Sequence, residues 1–248
     1  MSRQAPRTLQ VLRSQLITPH MRRITLGGHA MAEFPAQQQS AYVKLMFPQT
    51  SEQRPVLRTY TIRAQREGEI DIDFALHERS GPATRWARQA QAGDRILLGG
   101  PGPRKLINPD ADAFLLIGDM TALPAIAVNL ERLGNDTRGH AIIEIPSDAD
   151  MQPLQHPPGL QLHWVVNPTA DPSGTTLAAQ LSRIPWPTGR VSVWAACEFN
   201  SMLRLRQALR QSHQIPRSHL YISSYWQIGQ SEDGHKLIKA QDNEKHVA

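Results

Sequence analysis

The run Arg58-Thr59-Tyr60-Thr61-Ile62-Arg63 sets two guanidiniums around a tyrosine, with β-branched residues between them. In a strand, successive side chains point to opposite faces, so one face carries Arg58, Tyr60 and Ile62 and the other Thr59, Thr61 and Arg63. Arginine offers a planar fork of donors that matches a diphosphate, tyrosine a flat ring, and strand backbone groups can bond the polar edge of an isoalloxazine. That is the chemistry of a flavin cradle. Taken alone, the run is explained equally well as an ordinary surface strand. Further on, Glu69 to Glu78 (EIDIDFALHE) alternates as a half-buried strand does, and the chain turns at Ser80-Gly81-Pro82 into Ala83-Thr84-Arg85-Trp86-Ala87. Proline suits the first turn of a helix, where its missing N–H costs nothing. The N–H groups of Ala83 and Thr84 then face outward, an arrangement that binds anions. A tight turn is the plainer account of Gly81-Pro82 by itself.

The elements that must hold these residues are antiparallel. Strands are predicted from Thr8 to Leu12, Met21 to Leu26, Tyr42 to Phe47, Leu57 to Arg63, Ile70 to Leu76 and Arg95 to Leu98, with turn signals between them and one helix near 83–91. Such spacing with a single helix predicts a small closed barrel. Gly93-Asp94 reads as the left-handed cap that closes the helix. The glycines of Gly99-Gly100-Pro101-Gly102-Pro103-Arg104 are interrupted by prolines, and Asn108-Pro109 stands where a helix should begin, so this is a rigid turn and not a dinucleotide fingerprint. Arg104 and Lys105 are expected to project from it. Lys44, a charge inside an apolar strand, reads equally as an edge-protecting lysine or as a substrate contact.

From Ala113 the period changes. Phe114 to Ile117, a helix over Ala122 to Leu133, then His140 to Ile145, Leu160 to Val166 and Arg190 to Ala195 alternate as an α/β parallel sheet does. The fold class is therefore β + α/β: an antiparallel barrel over 1–108, then a parallel-sheet domain over 109–248 that ends in a basic helix. In such sheets ligands bind at the carboxyl ends of the strands. Gly118-Asp119-Met120-Thr121-Ala122 joins a strand to a helix there, Gly118 giving a ligand access to the backbone and Thr121 capping the helix. Trp194-Ala195-Ala196-Cys197-Glu198 makes a second such junction, with Cys197 as a small buried residue and Glu198 as a cap. Arg204 and Arg206 follow on the next helix, either as a solvated face or as partners for a 2′-phosphate. Tyr225 and Trp226 point to opposite faces of the last strand. Beyond Ser231-Glu232-Asp233 a helix carries His235, Lys236 and Lys239.

Composition narrows the partners. The chain has 248 residues, 40% hydrophobic and 20% charged, a globular balance that accommodates two domains. A net charge of +5 and a pI near 9.7 favour anionic ligands. Lys and Arg are dispersed and no nucleic-acid motif is present, so nucleic acid is not expected. A single cysteine excludes an intrachain disulfide and a four-cysteine cluster. No apolar leader or membrane-length run is found, and the expectation is a cytoplasmic protein.

Arg58 to Arg63, His77 to Trp86 (HERSGPATRW), Gly118 to Ile126 (GDMTALPAI) and Tyr225 to Gly229 (YWQIG) together resemble the siderophore-interacting protein family, in the family's order and over nearly the whole chain. The resemblance implies a flavoprotein of the ferredoxin-reductase superfamily that takes electrons from NADH, NADPH or reduced ferredoxin through FAD to a ferric siderophore. It implies FAD contacts from Arg58, Thr59, Tyr60, Thr61, Arg63, His77, Gly81, Pro82, Ala83, Thr84, Thr121 and Trp226. It places a nicotinamide dinucleotide at Gly118, Asp119, Thr121, Cys197 and Glu198, and the ferric chelate near Lys44, Arg104, Lys236 and Lys239. No resident metal and no acid–base residue are implied. The family usually has Ala-Gly-Glu where this chain has Ala196-Cys197-Glu198, which puts close backbone approach of a dinucleotide in question. The alternatives are a general flavin or ferredoxin reductase and a non-catalytic binder of flavin or ferric chelate.

Overall fold

Strands Arg7–Thr18 (β1), Met21–Gly27 (β2), Tyr42–Phe47 (β3), Val56–Arg66 (β4), Glu69–Ala75 (β5) and Arg95–Gly99 (β6) close into an antiparallel barrel in the order β1-β2-β5-β4-β3-β6. The computed structural model describes residues 5–48, 55–77, 81–213 and 215–247. Alternation sets the register. In β3, Val43, Leu45 and Phe47 are buried while Tyr42, Lys44 and Met46 are half-buried, and opposite them β4 places Tyr60 against Val43 and Arg58 against Leu45. The interior is filled by Leu9, Ile24, Leu26, Ile62, Ile72, Phe74 and Leu98. Each buried aliphatic side chain contributes about 1.5–3 kcal/mol through area removed from water. β5 is buried even at Asp71 and Asp73 because each has a partner: Asp73 pairs with Arg23 at 2.6 Å, and Asp71 with Arg66 at 2.8 Å and the Thr25 hydroxyl at 2.7 Å.

Helix Pro82–Gln89 (α1) starts at its proline, as expected. Its Trp86 packs edge-on to Phe47 and tilted against Phe74, with centroids 5.8 and 5.7 Å away. The helix ends at Ala90. Gly93, predicted as its cap, lies in the turn beyond, where its φ of 100° is needed. Arg104 also differs from expectation: it does not project. Its backbone forms a bridge with Ala41 and its Nε donates to the Gln39 carbonyl at 3.2 Å.

The second sheet is parallel throughout, with Ala113–Asp119 (β7), Gly139–Ile145 (β8), Leu160–Val166 (β9), Val191–Glu198 (β10) and Leu220–Trp226 (β11) in the order β11-β10-β7-β8-β9. β7 and β10 are buried at every position, as central strands covered on both faces must be. Helices Leu123–Arg132 (α2), Thr176–Ser182 (α3), Phe199–Ser212 (α4) and Glu232–Val247 (α5) complete it. Leu177 of α3 and Met202, Leu205 and Leu209 of α4 pack with Ile117, Val193 and Cys197 in one cluster. β7 and β10 run further than the apolar pattern predicts. Pairing on both sides extends them, so that Ala196 lies opposite Gly118 and Glu198 opposite Trp226. Gly118, Asp119, Cys197 and Glu198 are therefore strand ends rather than turn residues.

By its contacts the chain divides into two compact units, Met1–Leu106 with Ala127–Asn129, and Ile107–Ile126 with Leu130–Ala248. Among the described residues no helix is long and apolar enough to cross a membrane.

Candidate functional site

In the first unit, the Arg58 to Arg63 run occupies the middle of β4. Ile62 is fully buried, and Tyr60 is half-buried with its ring 4.4 Å from that of Phe74. Arg58 shares that face, and its Nη1 donates to the Leu57 carbonyl at 2.8 Å. Thr59 is exposed on the opposite face and pairs in register with Lys44 of β3. That pairing puts Lys44 beside the motif. The chain after β5 returns at α1, and the Thr84 hydroxyl and His77 Nε2 lie 3.2 Å apart, holding the end of the β5 segment against the first turn of the helix. Arg88 Nη2 donates to the His77 carbonyl at 3.3 Å from the other side. Glu78, Arg79 and Ser80 of the motif lie outside the described residues.

The geometry fits a diphosphate-bearing flavin. α1 begins at Gly81 with no side chain capping its N–H groups, and Ala83 and Thr84 lie in the first turn, where no intrahelical acceptor exists. Among the described residues, a Cβ built on Gly81 would meet nothing within 4 Å. Uncapped N–H groups at the start of a helix, an arginine and a half-buried tyrosine are donor types suited to a phosphate chain and an aromatic ring.

In the second unit, the carboxyl ends of three strands converge on Asp119. Its Oδ1 accepts from the Thr121 N–H at 2.9 Å and the Thr121 hydroxyl at 2.6 Å, and its Oδ2 from the Glu198 N–H at 2.8 Å and Trp226 Nε1 at 2.8 Å. Thr121 therefore does not cap α2, which begins at Ala122 without a side-chain cap, because Asp119 takes its hydroxyl. Glu198 does cap α4. Its Oε2 accepts from the N–H groups of Asn200 and Ser201, and its Oε1 from Ile228 N–H at 3.2 Å.

Gly118 serves the protein's own packing here. A Cβ would stand 2.6 Å from the Ala196 carbonyl oxygen and 2.8 Å from the Ala122 Cβ. Cys197 is fully buried, and burial together with the charges of Asp119, Glu144 and Glu198 pushes its thiol well above the ordinary value. Burial raises the Asp119 carboxyl as well, against the lowering effect of its bonds from Thr121 and Trp226.

Glu144, at the end of β8, was not singled out by sequence; the signal was a lone acid in GHAIIEI. Its Oε1 accepts from Asn167 Nδ2 at 3.0 Å, and its Oε2 is buried with no hydrogen-bond partner among the described residues. Burial, with repulsion from Asp119, Asp171 and Glu198, raises it to about 7 against the opposing Asn167 bond. Asp171, after β9, is held low by the hydroxyl and N–H of Ser173 and the N–H and hydroxyl of Thr175. The carboxyl edge of this sheet is thus acidic. Arg206, a candidate for a 2′-phosphate, is instead paired with Asp242 at 2.6 Å, with about a tenth of each side chain exposed.

Tyr225 packs edge-on to Trp194, while Trp226 is drawn to Asp119. On α5, Lys239 Nζ donates to the Ser223 hydroxyl at 2.6 Å and the Ser224 carbonyl at 2.8 Å, whereas Lys236 bridges Glu232 and Asp233 at 3.2 Å. The structure thus brings Arg58 to Arg63 and Lys44 together, sets His77 against Thr84, and gathers Gly118, Asp119, Thr121, Cys197, Glu198 and Trp226 at one sheet edge.

Comparison with known proteins matches residues 111–229 to the family described as siderophore-interacting protein, and residues 10–53 and 49–105 to the siderophore-interacting FAD-binding domain. The ferric vibriobactin reductase ViuB of Vibrio cholerae is 32% identical over 98% of this chain and 94% of its own. The crystal structure of the siderophore-interacting protein SipS from Aeromonas hydrophila superposes with a TM-score of 0.87 at 33% identity, covering 96% of this chain and 98% of that one. A ferredoxin-NADP+ reductase from Plasmodium falciparum shares the fold, with a TM-score of 0.66 at 10% identity over 89% of this chain and 96% of its own.

Proposed function

Because the chain belongs to the siderophore-interacting protein family, we propose that it is an FAD-dependent ferric-siderophore reductase that draws electrons from NADH, NADPH or a reduced ferredoxin. The observation that carries this reading is the match of both halves, in order, together with a named ferric-siderophore reductase aligned over nearly the full length of both chains.

Bound FAD would accept two electrons together from a nicotinamide and deliver them singly to ferric iron. The chain's own part is to bind and orient. Arg58 and the first turn at Gly81, Pro82, Ala83 and Thr84 would hold the diphosphate, and Tyr60 would lie against a ring. Thr59, Thr61 and Arg63 would supply polar contacts along β4, and the His77–Thr84 bond would fix the approach of strand to helix. Thr121 and Trp226, both tied to Asp119, are the proposed cofactor contacts of the second unit, where Gly118, Asp119, Cys197 and Glu198 form the proposed dinucleotide edge. Lys44, Arg104, Lys236 and Lys239 would contribute positive charge toward an anionic ferric chelate. Because Lys236 and Lys239 are already bonded to side chains of their own unit, they would act through their field or by exchanging partners. Once iron is ferrous, hard oxygen donors hold it more weakly and it leaves the chelate.

The test is anaerobic. Protein reconstituted with FAD is mixed with NADH or NADPH in separate cuvettes while flavin absorbance is followed, and a ferric siderophore is then added with a ferrous-specific chromogenic chelator. Bleaching by a nicotinamide, followed by chelate-dependent reoxidation and ferrous iron, is the expected result. Bleaching only by dithionite would assign the donor to a protein such as ferredoxin. Failure of every ferric chelate to reoxidise the flavin would overturn the reading.

A further inference from the structure

A pair of imidazoles lies on the β8–β9 side of the parallel sheet, apart from the acidic edge. In this parallel pair His140 stands opposite Gln161 and Ile142 opposite His163. The two histidines share one face of adjacent strands, and His140 Nδ1 is 3.1 Å from His163 Nε2, with ring centroids 5.2 Å apart and planes at 48°. Both are half-buried. Among the described residues no carboxylate bonds either ring, so nothing nearby favours the imidazolium form. Burial lowers both proton affinities, with mutual repulsion adding to the effect at His140. The 3.1 Å contact lets one ring nitrogen donate its proton to the other.

That spacing also suits a metal ion. Two imidazole nitrogens bound to one cation at about 2.0–2.1 Å stand about 2.9 Å apart at a right angle and about 3.4 Å apart at the tetrahedral angle. The observed 3.1 Å falls between these limits, the separation that two ligands of one ion would have. We propose that His140 and His163 form a two-imidazole site for a divalent first-row transition cation. The proton of that hydrogen bond shifts to an outward ring nitrogen as the cation enters, so at neutral pH no proton is released. In acid, protonation of the rings competes with the metal. No group of three or more His, Cys, Asp or Glu converges among the described residues, so water fills the remaining positions. Such a site follows the usual order for nitrogen ligands, with copper(II) tightest, nickel(II) and zinc(II) weaker, and iron(II) weaker still. This inference does not rest on the reductase reading and is decided by metal binding alone.

The experiment titrates the full FAD-loaded chain with copper(II) and nickel(II) chloride at pH 7.5 by calorimetry, alongside His140→Gln, His163→Gln and a control, His156→Gln. Thermal midpoints measured without metal verify that each variant is folded. At least a tenfold loss of affinity in either site variant, with none in the control, is expected. Copper(II) electron paramagnetic resonance of the wild-type chain should show two equatorial nitrogens, and this readout stands even if a variant fails to fold. Equal binding by His163→Gln, or a single coupled nitrogen in the wild-type spectrum, would overturn the proposal and leave the pair as a hydrogen bond.

Discussion

At the residue scale, the contrast between Asp119 and Glu144 shows what neighbours do for buried carboxylates. Asp119 accepts four hydrogen bonds, whereas Glu144 accepts one from Asn167 and leaves Oε2 with no partner among the described residues. Raised to about 7 from an ordinary 4.5, Glu144 is protonated in the native chain and ionised in the unfolded chain between those values. The unfolded state binds fewer protons across that window, so the contribution of Glu144 to stability declines as pH rises from about 4.5 to about 7 and is flat beyond. Glu144→Gln should remove this slope and stabilise the protein at pH 8 by on the order of 1–2 kcal/mol, with little change at pH 4.5. Urea unfolding at the two pH values measures it. A second prediction concerns the cradle. Arg58→Ala should lower FAD retention about tenfold or more, the loss expected for a charge-assisted bond, as read from the flavin-to-protein absorbance ratio after gel filtration. Sequence reading reached Glu198 as a cap because an acid before a helix has one obvious use. It missed the fate of Thr121 because the competing acceptor, Asp119, becomes visible only once both side chains are placed.

At the scale of elements, α5 meets its unit largely through polar groups. Ile238 joins the apolar cluster, but beside it His235 Nε2 lies 2.8 Å from the Ser224 hydroxyl, Lys239 holds Ser223, and Asp242 holds Arg206 of α4. Leu237, on the outward side, is 69% exposed. Burial, then the charges of Lys239 and Lys236, lower the proton affinity of His235 against the opposing effect of Glu232, and the Phe199 ring packs against it from α4. Its folded value is depressed, so the docking it supports is fully present above the unfolded value near 6.5 and weakens as pH falls below it. Limited proteolysis should therefore clip α5 faster at pH 5.5 than at pH 7.5, and His235→Gln should flatten that difference. Arg206→Ala should cost about 1–3 kcal/mol by removing the bidentate charge partner of Asp242, whereas replacing both members with apolar residues should recover most of it. Thermal denaturation of the single and double variants separates the two. The barrel strands were legible from alternation, and β3 matches its predicted bounds. The ends of β7 and β10 were not legible, because their last residues, Gly118-Asp119 and Cys197-Glu198, are held in the sheet by pairing with strands distant in sequence.

At the scale of the whole molecule, a net charge of +5 coexists with a parallel sheet whose carboxyl edge gathers Asp119, Glu144 and Glu198 at the ends of three strands. The excess of positive charge should accelerate encounter with an anionic ferric chelate, and kcat/KM for such a chelate should fall several-fold between 20 and 300 mM salt, roughly the range over which the Debye length shrinks below 10 Å. A neutral ferric hydroxamate run in parallel should show little dependence. The two-part architecture was legible from the change of period near Ala113, whereas the acidity of the sheet edge was not, since its members are spread from Asp119 to Glu198 and only the strand order β10-β7-β8 makes them neighbours. The Asp119 junction also bears on how the chain comes off the ribosome. Its donors lie up to 79 and 107 residues downstream, at Glu198 and Trp226. A nascent chain that has completed β7 and β8 therefore carries an Asp119 whose Oδ1 already has Thr121 but whose Oδ2 donors have not yet been made. Water must solvate that oxygen until β11 emerges, so the parallel sheet can close its edge only after β11 has been made.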